Sequence, residues 1–538
     1  MRLTRSELGN REQFEEKGII LPKFDIDRMA EKTCQSPTWI HFGAGNIFRG
    51  FIARISQVLN NEGLSDTGVI AADTFDTEII EKIYRPHDNL TLMADLKPTG
   101  EVSYEVIASI PYALCADPDF KEDHEKIISV FKSPSLQLIS FTITEKGYSL
   151  RSMDGSLLPV AVSDMEKGPS CPRHAMGIVC SLLFERYKSG KLPLAVVSMD
   201  NCSHNGDKLK RSILEIAGSW NRNGFVDDGF LDYLNDESKV TFPWSMIDKI
   251  TPRPDPSVEE MIEKELGMED MAPITTSRGT FIAPFVNAEV PQYLVLEDNF
   301  PNGRPLFEKA GVYMTDRDTV NKSERMKVTT CLNPLHTSLA VFGCLLGYKR
   351  ISDEMKDPLL VSLITKMGYE EGLKVVTDPK ILSPEAFLRE VIEERLPNPY
   401  IPDAPQRIAT DTSLKVPIRF GETIKSYIAS DELDVTSLTC IPLSIAGWFR
   451  YLLGIDDKGN AMELSSDPLM DDLQKELVNV KFKDKESAYG NIDGLLRNRE
   501  LFGADLVECG LKDKIESMLS DMLECEGAVL STINKYVG

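Results

Sequence analysis

The sequence predicts an α/β N-terminal domain followed by a mainly α-helical C-terminal domain. Short apolar runs that end in polar residues alternate with helical patterns up to about residue 305. Beyond that point, apolar residues recur at helical spacing through most of the chain. We therefore place one domain at 1–305, with a polar N-terminal extension over residues 1 to about 36 that should lie on its surface, and a helical domain at 306–538.

Length and composition limit the class of protein. A chain of 538 residues with 42% hydrophobic and 27% charged residues is typical of a globular protein of two or more domains. Its net charge of −24 argues against a nucleic-acid partner, which needs a concentrated basic surface. No apolar run approaches the roughly 20 residues of a membrane span, and the first residues lack the apolar core of a signal peptide. The ten cysteines show no paired CxxC spacing, so reduced thiols in a cytoplasm are expected.

A glycine turn between two predicted strands indicates a dinucleotide site. The run Thr38–Phe42 reads as a buried strand, Gly43 to Phe48 as a turn that opens a helix, and Gly68–Ala72 as a second strand that finishes on Asp73. Strand, glycine turn, helix, strand and acid is the layout of a Rossmann-type unit. There, glycines let the backbone approach a pyrophosphate and the acid accepts from ribose hydroxyls.

Two alternatives remain open for this turn. Phe48 stands where the third glycine of GxGxxG belongs, so a plain strand–helix turn that binds nothing is also compatible with the pattern. Asp76 could replace Asp73, or both could merely begin the next helix. The residues predicted to contact the cofactor are Phe42, Gly43, Ala44, Gly45, Asn46, Arg49, Asp73, Thr144 and Glu145.

Polar residues follow two further predicted strands, Leu136–Thr142 and Leu194–Ser198. Ligands of an open parallel sheet sit beyond the carboxyl ends of its strands, which places Thr144, Glu145, Asp200 and Asn201 near cofactor and substrate. Ordinary turn chemistry explains the same residue types. The two readings are balanced for Asn201, Asn205 and Gly206. A single carboxylate, Asp248, also interrupts the apolar run 244–252, and 281–285 and 293–296 read as later strands.

The segment Lys327–His336 carries the groups that a proton transfer beside a polarised oxygen requires. A lysine can give or take the proton, and Asn333 and His336 can hold the oxygen, with Glu324 one turn upstream of the lysine. The alternative is a helix start, with Asn333 as N-cap and Pro334 as first helical residue. Its buried stripe would then be Leu335, Leu339, Phe342 and Leu346.

The C-terminal half carries further candidates. A proline-bearing loop, Leu396 to Lys415, holds Arg407 and Lys415, which could bind an anion in an otherwise acidic protein. Neither Cys202 with His204 nor Cys331 with His336 has partners at ligand spacing, so we expect no metal ion. The predicted helices are 334–349, 355–367, 384–395, 436–454, 469–480, 486–498 and 511–536.

Taken together, these motifs resemble the polyol-specific long-chain dehydrogenases, the mannitol dehydrogenase family, through most of the chain. The matching stretches are His41–Gly50, Thr144–Tyr148, Ser198–Asn201, Met246–Ile250, Glu324–Lys327, Asn333–His336, and Arg407 with Lys415. The resemblance implies a Rossmann-type domain, a helical second domain, NAD or NADP, and no zinc. Asp73 favours NAD, because a carboxylate there repels the 2′-phosphate of NADP.

The same resemblance implies roles for individual residues. Lys327 would be the general acid/base, Asn201 and Asn333 would polarise the reacting oxygen, His336 would orient the substrate and Glu324 would relay the proton. Asp248, Arg407 and Lys415 would line the substrate pocket. The implied reaction interconverts a small sugar acid, D-mannonate, and its keto acid, D-fructuronate, in a cytoplasmic monomer or small homo-oligomer. Tagaturonate or a polyol such as mannitol are alternative substrates, and a non-catalytic dinucleotide sensor is less well supported.

One departure from the family pattern makes a structural prediction. The family usually has four residues between the lysine and the asparagine, and here there are five, Val328 to Leu332. In a continuous α-helix, Lys327 and His336 would point roughly 180° apart. We therefore predict a π-bulge or a helix break between Val328 and Pro334.

Overall fold

The computed structural model describes residues 1–152 and 154–538, which form two compact units. The first comprises Met1–Lys97 with Glu101–Asn321, and the second Pro98–Gly100 with Lys322–Gly538. The division falls at Asn321, inside a helix and 16 residues beyond the boundary predicted at 305. The predicted fold class, a Rossmann-type α/β unit followed by a mainly helical one, is confirmed.

All strands of the described residues belong to the first unit, where they form four sheets. In chain order they are β1 Ile19–Ile20, β2 Trp39–Phe42, β3 Ile70–Asp73, β4 Thr91–Leu96, β5 Val102–Ile107, β6 Ala113–Cys115, β7 Leu138–Phe141, β8 Leu194–Ser198, β9 Val240–Thr241, β10 Ser245–Asp248, β11 Ile274–Thr275, β12 Phe281–Ile282, β13 Phe285–Glu289, β14 Tyr293–Glu297 and β15 Tyr313–Thr315.

The central sheet has six parallel strands in the order β6-β3-β2-β7-β8-β9. Counted along the chain within this sheet, that order is 3-2-1-4-5-6, the Rossmann arrangement. Its residues are buried on both faces, since alternate side chains of β2 enter two separate cores, with Ile40 in one and Trp39 in the other. This explains why the strands read as continuous apolar runs. The order reverses between β2 and β7, so a ligand crevice is expected at their carboxyl ends.

The N-terminal extension is built into the first unit, contrary to the prediction that it lies on the surface. Leu3, Phe14 and Ile19 are buried, and β1 pairs in parallel with β5 in the sheet β1-β5-β4-β13. The predicted surface location was wrong because the apolar residues of this segment are few and widely spaced, so the sequence pattern gave no sign of a buried element. The strand that β1 pairs with, β5, follows more than 80 residues later, and local sequence does not show that contact.

Two smaller sheets complete the unit. β10, which ends on Asp248, pairs antiparallel with β14, and β14 pairs with β15. The run 281–285, predicted as one strand, divides at Ala283 and Pro284 into β12, which pairs with β11, and β13, which joins β4. Proline lacks the amide that a continuous ladder would need.

The first unit contains the helices around the sheets, and α13 crosses into the second unit. They are α1 Arg5–Leu8, α2 Arg11–Glu15, α3 Ile26–Gln35, α4 Ala53–Asn61, α5 Thr77–Ile79, α6 Lys121–Lys132, α7 Thr144–Tyr148, α8 Pro159–Lys167, α9 Ala175–Lys188, α10 Asn205–Arg222, α11 Asp228–Asn235, α12 Pro256–Met261 and α13 Arg317–Met326.

The second unit is mainly helical, with turns and irregular segments between its helices. Its α-helices are α14 Asn333–Leu346, α15 Ile351–Glu354, α16 Pro358–Lys366, α17 Pro384–Glu390, α18 Pro405–Ile408, α19 Thr412–Arg419, α20 Gly421–Ile428, α21 Cys440–Leu452, α22 Met470–Glu476, α23 Asp493–Leu496, α24 Arg499–Phe502, α25 Lys512–Leu523 and α26 Ala528–Val537. Segments of π-helix lie at Phe48–Ile52, Ile80–Tyr84, Ile262–Leu266, Lys327–Cys331, Met367–Gly372 and Val391–Arg395.

Three predictions for the helical half are corrected. The helix predicted at 486–498 is a 3₁₀ turn, Lys485–Ala488, followed by the single turn α23. The one predicted at 511–536 divides into α25 and α26 before Gly527, whose φ of +80° ends any continuous helix. The predicted loop 396–415 contains α18 and the first half of α19, so Arg407 and Lys415 lie on helices.

One stretch of the described residues, Arg317–Leu346, is long and apolar enough to cross a membrane, with a mean hydropathy of 1.2 in its most apolar window. That window is 78% buried inside the protein, as expected for a core helix. Leu335, Leu339 and Phe342 of the predicted stripe are fully buried, whereas Leu346 is half-buried.

Candidate active site

The turn after β2 is shaped by its first glycine. Gly43 has a φ of +106°, and a Cβ placed there would lie 2.2 Å from the carbonyl oxygen of Thr142. No L-residue with a side chain fits that position. A Cβ on Gly45 would instead meet nothing within 4 Å, which leaves space for a ligand to approach the backbone closely.

Phe48, in the place of the third glycine, fills the space beneath the turn. Its ring stacks on His41 with a centroid distance of 4.4 Å and an interplanar angle of 9°. His41 is held by Ser140 through Nδ1 at 2.7 Å and by Thr142 through Nε2 at 2.8 Å. Burial lowers the pKa of His41 to about 3, so it stays neutral and its role is packing.

Asp73 ties the glycine turn to the end of β3. Its Oδ2 accepts from Ala44 N at 3.0 Å, and its Oδ1 accepts from Phe75 N and Asp76 N, both at 2.8 Å. Burial raises the pKa of Asp73 although these amides act against the shift. A carboxylate has about four acceptor sites. Three are used by the backbone, which leaves room for one ribose hydroxyl.

Asp76 and Arg49 lie around the same turn. Asp76 Oδ2 accepts from Thr276 Oγ1 at 2.6 Å, whereas its buried Oδ1 has no hydrogen-bond partner within residues 1–152 and 154–538. Arg49 donates to Asn46 Oδ1 at 2.7 Å and to the carbonyl of Ala283 at 2.8 Å. Burial lowers its pKa to about 10. Arg49 and Asn46 therefore stabilise the turn from within.

Phe75 and Arg278 form a pair that the sequence analysis missed. The Phe75 ring is 66% exposed two residues after Asp73, and the Arg278 guanidinium lies 5.2 Å from its centroid. An exposed ring beyond the second strand of a Rossmann sheet offers a flat apolar surface where the adenosine half of a dinucleotide binds. The signal available in the sequence was an aromatic residue between two acids.

Asp200 anchors the ends of β7 and β8 to one another. Its carboxylate accepts from Ile143 N at 2.9 Å, Thr144 N at 3.0 Å and Tyr148 Oη at 2.5 Å. Burial raises its pKa, opposed by these hydrogen bonds. Thr144 is thereby held at a φ of +64°, in the left-handed region. Asn201, the next residue, is exposed at the end of the strand.

Asn205 and Gly206, for which both a functional role and ordinary turn chemistry were left open, have structural roles. Asn205 is fully buried and bonds the Asp200 carbonyl at 3.0 Å and the Ser245 amide, carbonyl and hydroxyl at 2.9–3.1 Å. A Cβ on Gly206 would meet the Phe242 carbonyl at 2.6 Å. Glu145 forms an ion pair with Lys208.

In the second unit, a π-helix carries the predicted general acid/base. Lys327 is its first residue and only 2% exposed, and the amide of Leu332 donates to the Lys327 carbonyl at 3.1 Å, a π-type bond. Leu332, at φ −130° and ψ −62°, then breaks the helix before α14 starts. The predicted π-bulge or break between Val328 and Pro334 is confirmed. Asn333 is the first residue of α14 and not its N-cap, which is Leu332.

His336 lies beside a carboxylate–arginine pair. Its Nε2 is 3.3 Å from Asp403 Oδ2, within ion-pair range but without hydrogen-bond geometry, and Asp403 also pairs with Arg407 on α18. Burial alone would raise the pKa of Asp403, but the neighbouring His336 and Arg407 outweigh it and hold that pKa below its usual range. Asp403 was absent from the predicted set, because a lone Asp between prolines gave no signal.

Two further cations follow on α19. Lys415 Nζ donates to the carbonyls of Ile408, at 3.1 Å, and Thr410. Burial, then the proximity of Arg419 and Arg407, lowers the pKa of Lys415. Arg419, also missed from the sequence, donates through Nη1 to Thr337 Oγ1 at 2.6 Å. In the part of the chain that the structure describes, no three His, Cys, Asp or Glu residues are grouped as metal ligands.

Comparison with known proteins agrees with both halves of this description. The mannitol dehydrogenase Rossmann domain matches residues 37–308, and the mannitol dehydrogenase C-terminal domain matches 319–523. The chain is 52% identical, over 540 aligned positions, to a D-mannonate oxidoreductase of Thermotoga maritima, with 100% of this chain and 99% of that protein covered. The chain belongs to the mannitol dehydrogenase family.

Two solved structures resemble the fold along its length, each at 25% identity. A substrate-free D-sorbitol dehydrogenase superposes with a TM-score of 0.77 over 97% of this chain and 98% of its own. The Pseudomonas fluorescens mannitol 2-dehydrogenase, solved with NAD and D-mannitol, gives 0.68 over 99% of both chains.

Proposed function

We propose that this protein is an NAD-dependent oxidoreductase that interconverts D-fructuronate and D-mannonate. The observation that carries the proposal is its 52% identity, over the full length of both chains, to a protein named D-mannonate oxidoreductase. Fold alone would not identify a substrate, since one fold supports many reactions.

The residues of the glycine turn fit a bound dinucleotide. The open space at Gly45 admits a pyrophosphate to the backbone, and the free acceptor site of Asp73 or the unpartnered Oδ1 of Asp76 suits a ribose hydroxyl. Phe42, Gly43, Ala44, Asn46 and Arg49 shape this turn, and Thr144 and Glu145 complete the proposed set at the end of β7. Bound NADH supplies the hydride that reduces a ketone.

The proposed proton donor is Lys327. As the carbonyl carbon gains hydride, its oxygen becomes an alkoxide, and the Lys327 ammonium neutralises that charge and transfers a proton to the oxygen. Burial of the lysine keeps water from competing for the same oxygen. Glu324, one helical turn earlier, would return a proton from solvent to the amine.

Amide and imidazole groups would hold the substrate for that transfer. Asn201 and Asn333 would donate to the reacting oxygen and His336 to a neighbouring hydroxyl. Asp248, Arg407 and Lys415 would line the pocket around the rest of the sugar. The support for His336 is the Asp403 carboxylate 3.3 Å from its Nε2, which would stabilise a protonated imidazole in this place.

A neutral polyol is the second candidate substrate. The two solved relatives are named for D-sorbitol and D-mannitol, although their identity to this chain is about half that of the mannonate enzyme. We place the enzyme in the cytoplasm, as a monomer or small homo-oligomer that binds neither nucleic acid nor membrane, consistent with its charge of −24.

Steady-state kinetics tests the proposal directly. With NADH we expect kcat/KM to be highest for D-fructuronate, and lower for D-tagaturonate and D-fructose; with NAD, D-mannonate should exceed D-mannitol. A preference for fructose or mannitol would overturn the sugar-acid assignment while leaving a dehydrogenase. Absence of turnover with every pair, together with tight NADH binding, would favour a non-catalytic sensor.

A further inference from the structure

Three cations, Arg407, Lys415 and Arg419, lie close together on α18 and α19. They differ in the protein groups that already bind them. Arg407 pairs with Asp403, four residues earlier in the chain, and its side chain is 64% exposed. Lys415 is held by two backbone carbonyls. Arg419, one turn after Lys415, donates to Thr337 Oγ1 and forms no ion pair with an Asp or Glu among the described residues.

Two other buried arginines form more hydrogen bonds than Arg419 does. Arg186 donates five hydrogen bonds to backbone carbonyls, and Arg450 donates three. A guanidinium carries five N–H donors in a rigid fork. Arg419 uses one of them on a hydroxyl and is only half-buried, so the remaining donors can be reached by a ligand.

The position of Arg419 connects it to the proposed substrate site. Thr337 directly follows His336 in the first turns of α14, and α19 packs against both α14 and the π-helix that begins at Lys327. Burial lowers the pKa of Arg419 to about 10, which leaves it charged at neutral pH. The result is a charged, incompletely satisfied guanidinium held by α14 through Thr337, the residue after the histidine that would orient the sugar.

We propose that Arg419 binds the carboxylate of the sugar-acid substrate and thereby selects acids over neutral polyols. The inference rests on the proposed function. A planar guanidinium with free donors can form two parallel hydrogen bonds to a carboxylate, which a neutral hydroxymethyl group cannot reproduce. The carboxylate would supply the countercharge that the protein itself does not.

The test compares Arg419→Met with Arg419→Lys and with Arg389→Met, a control that removes an equal charge from the exposed face of α17. Arg419→Met should raise the KM for D-fructuronate by about 10-fold to 100-fold, the range of one lost charged hydrogen-bond pair. Its kcat and its KM for D-fructose should change by less than about threefold. Arg419→Lys should raise the KM for D-fructuronate less than Arg419→Met does, because lysine keeps the positive charge but lacks the planar pair of N–H donors. Arg389→Met should match the wild type.

Binding gives a second readout that needs no turnover. D-mannonate should raise the melting temperature of the wild-type NADH complex and of Arg389→Met, but not that of Arg419→Met at the same concentration. If Arg419→Met fails to fold, Arg419→Lys is the variant that tests the proposal. Arg419→Lys should bind mannonate more weakly than the wild type does, with its affinity for fructose unchanged. Unchanged KM for fructuronate, or an equal loss for fructose, overturns the inference.

The outcomes for the two proposals are distinguishable. If the wild type prefers sugar acids and Arg419→Met retains that preference, the function stands and the role of Arg419 is wrong. If the wild type prefers neutral sugars, the proposed function fails first and the role of Arg419 fails with it.

Discussion

The polar groups at the strand ends of the first unit and those around α14 and α19 in the second unit differ in how fully the protein uses them. Asp73, Asp200 and Asn205 spend most of their hydrogen-bonding capacity on nearby backbone and hydroxyl groups. Arg419, on α19, uses only one of its five N–H donors. These strand-end residues therefore mainly fix the shape of their turns, whereas Arg419 retains donors and a charge that an anionic substrate could use.

The largest effect is expected at Lys327, the buried cation of the π-helix. Lys327→Ala should lower kcat by about 100-fold to 10,000-fold, the usual contribution of general acid/base catalysis, with NADH affinity within about threefold of wild type by fluorescence titration. Lys356→Ala, a change at an exposed lysine of the same unit, is the control. Retention of more than a tenth of wild-type kcat would show that Lys327 is not the proton donor.

Substitutions at the adjacent residues Asp200 and Asn201 test whether one residue holds the strand ends together while its neighbour acts on the substrate. Asp200→Ala should lower the free energy of unfolding by about 3 kcal/mol, because three donors lose a buried carboxylate. Asn201→Ala, at an exposed position, should change it by less than about 1 kcal/mol while kcat falls about 100-fold. Urea unfolding and steady-state kinetics measure the two quantities. Equal destabilisation by both changes would contradict the distinction.

Two buried glutamates of the second unit sharpen the comparison. Glu371 accepts from the amides of Thr439, Cys440 and Ile441 at the start of α21, whereas neither carboxylate oxygen of Glu354 has a partner in the described residues. Glu354→Met should therefore stabilise the protein at pH 8 by about 1–3 kcal/mol, and Glu371→Met should destabilise it by a similar amount.

The increase in the free energy of unfolding produced by Glu354→Met should depend on pH. Burial raises the pKa of Glu354 well above its ordinary value, so the folded chain keeps its proton at a pH where the unfolded chain has lost it. Stability contributed by this group is then full below the unfolded pKa of about 4.3 and declines as pH rises above it. Unfolding of Glu354→Met and wild type at pH 5 and pH 8 should show the larger difference at pH 8. A difference independent of pH would mean that the carboxyl is ionised when folded.

Cofactor choice is expected to show the smallest change. The wild type should prefer NAD, and Asp73→Ser should raise the ratio of kcat/KM for NADP to that for NAD by about tenfold, since it removes a carboxylate that repels the 2′-phosphate. Asp73→Ser should also destabilise the protein, because three backbone amides lose their acceptor. If Asp76→Ser changes the ratio and Asp73→Ser does not, Asp76 is the selecting acid.

Local patterns predicted the parts of this molecule that local chemistry determines. The strand β2, the glycine turn and the helix after it follow from an apolar run and two glycines, and the irregularity after Lys327 follows from a count of five residues. The partners of Asp200 are 52 to 57 residues away, and that of Arg419 is 82 residues away. Such contacts exist only after the fold has formed, so neither the anchoring role nor the unsatisfied guanidinium was visible in sequence.

The π-helix at Lys327–Cys331 has a consequence for how this family can evolve. An insertion in a regular helix rotates every later residue by about 100°, which would normally remove one catalytic group from the reach of another. A π-turn absorbs the extra residue within a single wide loop of backbone, because its amide reaches one carbonyl further back. A chain can therefore gain one residue between positions 327 and 333 without turning the residues after the π-helix away from those before it.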